Sequence, residues 1–403
     1  MQNKHVLYFY CTPYKKASAG VVTIHKIIDY FNRNNQPAYI LVQNESIGAE
    51  GYNLSSESKL KTPLLTENIL NKHVSENKTP IIFYPDTVSE NIFASENSCR
   101  MILYYDGILT GRSSLDSVEK EGIIFFSKLI KDRAKLKKSL YEYIVSFPVA
   151  DSEIISFNTQ DSKNIERKDI FYYDGKFTRN FGGKIPKNIK KYKKIDRGLK
   201  NSMKQDELFE NLKKAKLLHV FEDTALIYEA LLLGCPVNIH PSGVFYKNKP
   251  LAFYEVKLSG SLSKKIVTKE DINYALNEIH KFKDDYKKWE TYGENQLKNF
   301  KYNFKYHTGS FNKKNINKIK KNIKYTKNYI RLYEKEINLN TNNKHSYQSI
   351  YYFFIKIFYV IYKLLLKNKF FEKYFKYIAI RAYHSLPIGL KHKITNCIRR
   401  INS

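Results

Sequence analysis

The segment FEDTALIYEALLLGCPV, Phe221 to Val237, constrains the fold of this chain more than any other stretch. The apolar run KLLHVF that leads into it predicts a buried strand, and Asp223 or Thr224 is suited to cap the helix that follows. Gly234 and Pro236 predict the end of that helix, and VNIH predicts the next strand. A strand, a helix and a strand in this order are typical of a parallel α/β sheet.

The start of this helix is the first candidate ligand site. The backbone N–H groups of Thr224, Ala225 and Leu226 are expected to be unpaired there, and with the positive end of the helix dipole they would suit a diphosphate. Glu229 lies about a turn and a half further along the helix, where it could reach a sugar or ribose hydroxyl. The alternative is an ordinary strand–helix unit of some other α/β protein, in which Glu229 is merely solvated.

An acidic residue, a helix with Glu-Ala and then Leu-Gly-Cys-Pro-Val together resemble the donor-sugar motif in the second domain of GT-B glycosyltransferases. This resemblance implies an α/β fold with two Rossmann-like domains that face a cleft. It implies that Glu229 holds the nucleotide ribose. Glu222, Asp223 and Thr224 would lie on the phosphate and sugar side, with Glu222 and Asp223 as catalytic candidates. Retaining enzymes have seven residues between the two glutamates of this motif, whereas six separate Glu222 from Glu229, so the stereochemical outcome stays open.

The first part of the chain predicts a separate parallel sheet. HVLYFYC is predicted as a strand, and the chain then turns through Gly20 into an amphipathic helix that precedes the strand PAYILV. IIFYP, EGIIFFS and YIVSFPVAD are predicted as further strands of this sheet. In GT-B enzymes the corresponding first loop faces the cleft, which makes Gly20 a donor-binding candidate. His25, deeper in the helix, is expected to be a packed or surface residue rather than a base.

Asp86 is the best acidic candidate in this first domain. It follows the strand IIFYP, and a carboxylate there could bind or activate an acceptor hydroxyl. The alternative is a helix N-cap or a turn residue. After Asp86 we expect Asn91 and then a helix through Arg100 to Tyr104. The order of these residues is similar to the N-terminal domains of some bacterial glycosyltransferases that build surface polysaccharide, such as O-antigen, capsule or lipooligosaccharide.

A polar, irregular stretch after Asp151 predicts a domain boundary, and IFYYDGK predicts the first strand of the second domain. By resemblance, Gly175, Lys176 and Arg179 lie near the donor phosphates, where fixed positive charge could stabilise the leaving diphosphate without a metal. No D-x-D triplet occurs in the sequence, which favours a metal-independent enzyme. No cofactor is expected, since the nucleotide-sugar is a substrate.

Two further segments lie near the predicted donor site. The lysine-rich stretch KIPKNIKKYKKIDRGLK is expected to be solvent-facing surface, with a loop over the cleft as the alternative, and Arg197 is its one member worth testing. Pro241-Ser242-Gly243 is expected to form a turn that could touch the donor phosphates. Helices are then expected to about Phe304.

The positive charge is concentrated near the end of the chain. From Lys301 onward, 23 Lys and Arg residues stand against three Glu residues, an excess of 20 within a net charge of +30. The segment Ser346 to His384 mixes apolar and aromatic runs with lysines, which suits an interfacial helix on an anionic membrane. A spanning helix over Gln348 to Leu366 is less favoured because two lysines lie in it. The alternative is a helical hairpin packed on the protein itself.

These patterns predict three regions: an acceptor domain over residues 1–155, a nucleotide-sugar domain over 156–305 and a basic helical extension over 306–403. The predicted partners are a nucleotide-sugar, a lipid-linked glycan or oligosaccharide acceptor and the inner face of the cell membrane. Four scattered cysteines and no apolar signal segment fit a peripheral cytoplasmic protein. The alternatives are a noncatalytic membrane-associated scaffold and a basic nucleic-acid-binding protein, although no nucleic-acid-reading motif is visible and we expect no such partner.

Overall fold

The computed structural model describes residues 4–14, 18–43, 60–116, 118–136, 138–150, 154, 166–197 and 203–342, with side chains up to residue 328. The described residues up to Lys320, except Gln43, belong to one compact unit that contains two parallel sheets. The predicted α/β class with two Rossmann-like sheets is therefore confirmed. The predicted membrane segment, Ser346 to His384, lies outside the described residues. Within those residues, no helix is long and apolar enough to cross a membrane.

The first sheet is built from six strands: β1 His5–Cys11, β2 Ala38–Val42, β3 Thr79–Pro85, β4 Ser98–Ile102, β5 Gly122–Phe125 and β6 Tyr141–Ile144. Three helices lie between them: α1 Ala19–Arg33, α2 Glu67–Ser75 and α3 Lys128–Arg133. The spatial order is β2-β1-β3-β4-β5-β6, and all the pairings are parallel. The chain changes direction across the sheet between β1 and β3, the point where open α/β sheets bind ligands.

The second sheet is built from five strands: β7 Asp169–Tyr173, β8 Lys193–Lys194, β9 Ala215–Glu222, β10 Val237–Val244 and β11 Ser261–Leu262. Its helices are α4 Gly175–Arg179, α5 Lys187–Lys190, α6 Gln205–Lys213 and α7 Leu226–Leu232. The order β8-β7-β9-β10-β11 repeats the order of the first five strands of the first sheet, again with parallel pairings. A second change of direction therefore lies between β7 and β9.

Three long helices follow the second sheet: α8 Lys269–Glu278, α9 Phe282–Phe300 and α10 Lys313–Asn342. Helix α9 packs against the segment that follows β6, where Trp289 Nε1 donates to Ser146 Oγ over 2.9 Å. The chain then returns to the first sheet, where His307 Nε2 and the Tyr141 hydroxyl lie 2.8 Å apart. The start of the region predicted as a basic extension thus packs on the first sheet.

Two local predictions in these sheets were wrong. The segment predicted as a helix through Arg100 to Tyr104 instead contains β4, because pairing with β3 and β5 buries all five of its residues. The expected turn at Pro241-Ser242-Gly243 lies within β10. The pairing of β10 with β9 shifts register between Ile239 and Val244, and such irregular places tolerate proline in a strand.

Arg100 explains why the sequence did not predict β4 as a strand. Its side chain is fully buried, and its guanidinium donates to both carboxylate oxygens of Glu121, over 3.1 and 3.0 Å. It also donates to the Val88 carbonyl. A charged residue in the middle of a buried strand needs such a partner, and the partner is distant in the sequence.

Arg100→Met is expected to lower the free energy of unfolding by about 3–5 kcal/mol, because it leaves the Glu121 carboxylate buried without its cation. Burial already raises the pKa of Glu121 and Arg100 opposes that rise, so the variant should raise this pKa further. Urea denaturation should therefore show a larger loss at pH 8 than at pH 5, where the neutral carboxyl is more populated. Lys193→Met, which breaks the exposed pair with Asp169, is the control and should cost about 1 kcal/mol or less. Equal losses of unfolding free energy for the two variants would contradict a buried ion pair between Arg100 and Glu121.

Candidate active site

The two sheets meet at the segments that follow their carboxyl-terminal strand ends. The Lys176 ammonium, just after β7, lies 4.6 Å from the centre of the Tyr104 ring, just after β4. The Arg133 guanidinium lies 4.4 Å from the Tyr105 ring and 5.7 Å from the ring of Tyr246, which follows β10. Cation–π contacts from both sides therefore bring the two predicted ligand-binding edges together.

The Asp86 carboxylate fixes the backbone on the side of this junction that carries Tyr104 and Tyr105. Its Oδ2 accepts the backbone N–H groups of Leu103 and Tyr104, over 3.0 and 2.9 Å. Burial raises the pKa of Asp86 to about 6, against the lowering effect of these two N–H groups. The predicted alternative of a turn residue matches this geometry, since Asp86 fixes the backbone just before the Tyr104 and Tyr105 rings.

The Glu222 carboxylate positions Lys176 on the other side of the junction. Its Oε2 accepts the Lys176 backbone N–H over 2.6 Å, and its Oε1 lies 3.8 Å from the Lys176 ammonium. Burial raises the pKa of Glu222, and the charge of Lys176 opposes the rise. Gly175 makes this close approach possible, because it has a positive φ of 38° and a Cβ there would overlap Glu222 Oε1. The predicted residues Gly175, Lys176 and Glu222 are thus brought together.

Asp223 lies next to this group and is only partly hydrogen-bonded. Its Oδ1 accepts the Leu251 backbone N–H over 2.7 Å, whereas its buried Oδ2 has no hydrogen-bond partner of ordinary geometry. Burial raises the pKa of Asp223 to about 8, and its lowering interactions include the Lys176 charge and the nearby Tyr105 hydroxyl. The carboxyl is therefore poised to exchange a proton near neutral pH.

The hydroxyls of Tyr104 and Tyr105 are also buried without a hydrogen-bond partner of ordinary geometry in the described structure. Burial raises the pKa of both hydroxyls, and the charge of Asp223 raises it further. Sequence reasoning missed both tyrosines. The Tyr-Tyr-Asp-Gly sequence after β4 was the available signal, since polar residues at a strand's carboxyl end often bind ligands.

The sequence analysis also missed that the Arg197 side chain is largely shielded from solvent. It donates to both oxygens of Glu229, over 2.8 and 3.3 Å, and only 12% of its side chain is exposed. The expectation of a solvent-facing residue was therefore wrong for Arg197, and so was the alternative of a solvated Glu229, which is 1% exposed. An arginine within a lysine-rich run was the available signal, since its planar fork suits bidentate pairing with a carboxylate.

Arg179 completes a group of cations around the end of β7. Its Nε donates to the Gly175 carbonyl over 3.0 Å. Arg197 and Arg179 both lower the pKa of the Tyr173 hydroxyl, although burial raises it overall to about 12. With Lys176, these side chains form a concentration of positive charge at the change of direction between β7 and β9.

The start of α7 differs from the prediction. The helix begins at Leu226 with Ala225 as its N-cap residue, so neither predicted cap, Asp223 or Thr224, occupies that position. The Asp223 carboxylate accepts the Leu251 backbone N–H. Thr224 Oγ1 instead accepts the Leu226 backbone N–H over 3.3 Å, so this N–H is not free for a diphosphate. The predicted end is confirmed, since Gly234 has a positive φ of 79° and α7 ends at Leu232.

Two predicted residues of the first domain lie on α1. Gly20 lies in the first turn rather than in the preceding loop, and a Cβ there would contact Leu103 Cδ1 at 3.4 Å. It thus lies next to the segment that carries Tyr104. His25 is packed as predicted, with its Nε2 3.0 Å from the Thr12 carbonyl, and burial lowers its pKa to about 4.

Among the described residues, no group of three or more His, Cys, Asp or Glu side chains could hold a metal ion. Metal independence stays a prediction. No protein-family model matches the chain, and no curated protein resembles it in sequence.

Solved structures similar to this chain include several glycosyltransferases. The calicheamicin glycosyltransferase CalG4 is 9% identical over 76% of this chain and 99% of its own, with a TM-score of 0.34. The spinosyn forosaminyltransferase SpnP is 9% identical over 73% and 94%, with a TM-score of 0.31. SnogD from Streptomyces nogalater is 6% identical over 74% and 95%, with a TM-score of 0.26. With TM-scores below 0.5, these similarities do not assign an activity to the chain.

Gly175→Ala is expected to destabilise the protein more than Gly182→Ala. Both glycines have positive φ, which costs an alanine about 1–2 kcal/mol, but only at Gly175 does a Cβ overlap a neighbour, Glu222. Urea denaturation of the two variants measures the difference. Equal unfolding free energies would show that Glu222 is not held against this turn.

Proposed function

We propose that this protein is a glycosyltransferase that moves a sugar from a nucleotide-sugar donor to a hydroxyl group of the acceptor without a metal ion. The observation that carries the proposal is the buried, unpartnered Asp223 Oδ2 near the Tyr104 and Tyr105 hydroxyls, beside Lys176. Buried polar atoms without partners are costly and rare. A sugar between the two sheets would supply the missing hydrogen bonds.

The donor binds the second sheet in this proposal. Lys176, Arg179 and Arg197 stabilise the diphosphate, and Gly175 and Thr224 allow its close approach. Glu229 orients Arg197 and accepts a hydrogen bond from a ribose hydroxyl. Gly20 lies next to Leu103, at the start of the segment whose tyrosines face the bound substrates. Glu222 acts as a positioning residue for Lys176.

Asp223 is the proposed general base. Its carboxylate removes the proton of the acceptor hydroxyl while the acceptor oxygen forms a bond to the anomeric carbon. The bond from that carbon to the diphosphate oxygen breaks, and the electron pair leaves with the nucleoside diphosphate, which Lys176 stabilises. Asp86 acts through Tyr104, whose backbone it holds, and Tyr104 and Tyr105 bind the acceptor.

The proposed acceptor is a lipid-linked glycan of the surface-polysaccharide type, such as a precursor of O-antigen, capsule or lipooligosaccharide. The basic, aromatic sequence from Ser346 to His384 supports this choice, because it would hold the enzyme at the anionic inner face of the membrane. A scaffold without turnover would not need an ionisable base at the junction of the sheets.

Nucleotide binding tests the proposed donor site. A titration with UDP, GDP, dTDP, CMP and their sugars, followed by thermal unfolding, is expected to show stabilisation by one nucleotide class. Glu229→Ala should abolish this shift, because Arg197 would lose the carboxylate that orients it. Lys193→Met, an exposed lysine of the same sheet, should keep the shift. If no nucleotide stabilises the folded protein, the scaffold interpretation replaces the enzyme. If the protein instead binds any polyanion, with an affinity that falls steeply as the salt concentration rises, nucleic-acid binding is favoured.

The pH dependence tests the base. Asp223 must be deprotonated to act, and its pKa is raised to about 8, so kcat/KM should rise with pH up to about pH 8 and then level off. Asp223→Asn should abolish transfer while Asp116→Asn, a change at an exposed carboxylate, should not. A profile that is flat from pH 6 to 9 would contradict this role.

The same variant should change the pH dependence of stability. Since its folded-state pKa is raised, Asp223 binds more protons in the native state than in the unfolded state between about pH 4 and pH 8. Its contribution to stability is therefore lost as pH rises through that range. Asp223→Asn should gain stability relative to the wild type between pH 5 and pH 9 in urea denaturation. If the difference in unfolding free energy between the variant and the wild type does not change with pH, the Asp223 carboxyl is not desolvated.

A further inference from the structure

A cavity of about 560 Å³ lies beside β10 and β11, in the second sheet. The segment after β10 forms most of its wall, which includes Asn248, Phe253, Tyr254, Glu255 and Lys257. A volume of this size accommodates one or two sugar rings. None of these residues has a part in the proposed transfer.

Two aromatic rings on the cavity wall are unusually exposed. Phe253 is 42% and Tyr254 48% exposed, and their planes are nearly perpendicular at a centroid distance of 5.4 Å. The Lys249 ammonium lies 4.2 and 4.8 Å from the two ring centres and 3.3 Å from the Tyr254 hydroxyl. Large apolar side chains grouped at a cavity rather than scattered mark a binding surface.

The cavity wall also includes hydrogen-bond donors and acceptors. Glu255 uses one oxygen to accept the Lys128 backbone N–H over 2.7 Å, and its other oxygen is buried with no hydrogen-bond partner. Burial raises the pKa of Glu255 to about 7. Asn248 and Lys257 add an amide and an ammonium group to the wall.

We propose that this cavity is a second carbohydrate-binding site, distinct from the donor site and specific for a pyranose ring of a glycan. The C–H face of a pyranose packs on an aromatic ring, while its hydroxyls both donate and accept hydrogen bonds. The wall offers matching groups: rings at Phe253 and Tyr254, donors at Asn248 and Lys257 and an acceptor at Glu255. The Lys249 ammonium lies against both rings. A nucleobase fits less well, because two perpendicular rings cannot sandwich a flat base.

Phe253, Tyr254 and Glu255 belong to the segment that also supplies the Leu251 N–H to Asp223. An occupied cavity would therefore hold a glycan close to the junction of the two sheets. The binding itself requires no turnover, so the proposal does not depend on the proposed transfer.

Saturation-transfer NMR on the full chain tests the site with methyl pyranosides of glucose, galactose and mannose and with cellotriose as probes. We expect transfer to the ring protons of at least one probe. In the Phe253→Ala/Tyr254→Ala variant this transfer should fall about tenfold, because both stacking surfaces are lost. Tyr274→Ala, a change at a tyrosine that is 64% exposed on α8, is the matched control and should keep the signal.

Competition with nucleotides separates this site from the donor site. Millimolar UDP, GDP, dTDP or CMP should leave the pyranoside signal unchanged. No transfer to any probe, or equal transfer in the double variant, would overturn the proposal, and so would displacement by a nucleotide. Since both rings are exposed, the double variant should fold. If circular dichroism shows that it does not, Lys249→Met provides the second test, with a several-fold loss of signal expected and no loss contradicting the proposal.

Discussion

The Glu222 carboxylate binds Lys176 twice, at the backbone N–H and at the ammonium group, and the geometry of the junction between the two sheets depends on this contact. It directs the ammonium group to the face of the Tyr104 ring in the other domain. The contact is possible only because residue 175 has no Cβ. A single backbone turn thus determines where the positive charge of the second domain meets the aromatic edge of the first.

Three buried carboxyl groups near this junction are stabilised to different extents. Asp86 accepts two backbone N–H groups, and Glu222 has one N–H and an ammonium group. Asp223 accepts a single N–H, and burial raises its pKa to about 8, further than the pKa of Asp86, which is raised to about 6. The first two carboxylates position the backbone. The incompletely bonded one has the capacity left to react.

The sequence predicted the parts of the fold that local patterns determine. Apolar runs with turn residues between them predicted both parallel sheets, and Gly234 predicted the end of α7. The errors at Arg100 and Arg197 share one cause, because each is a buried cation whose carboxylate partner lies 21 or 32 residues away in the chain. A charged residue is expected at the surface until its partner is known. The predicted cap at Asp223 failed for a similar reason, since the N–H of Leu251 is a distant competitor.

The charge of the site is local and is not a consequence of the net charge of +30. Lys176 lies against Glu222 and Tyr104, Arg197 is paired with Glu229, and Arg179 donates to a backbone carbonyl. Much of the excess charge falls after Lys301, and exposed charges beyond about 8–10 Å are screened at physiological salt. In the proposed function, these held cations bind the donor diphosphate. The proposed partner of the charge near the end of the chain is instead an extended anionic surface.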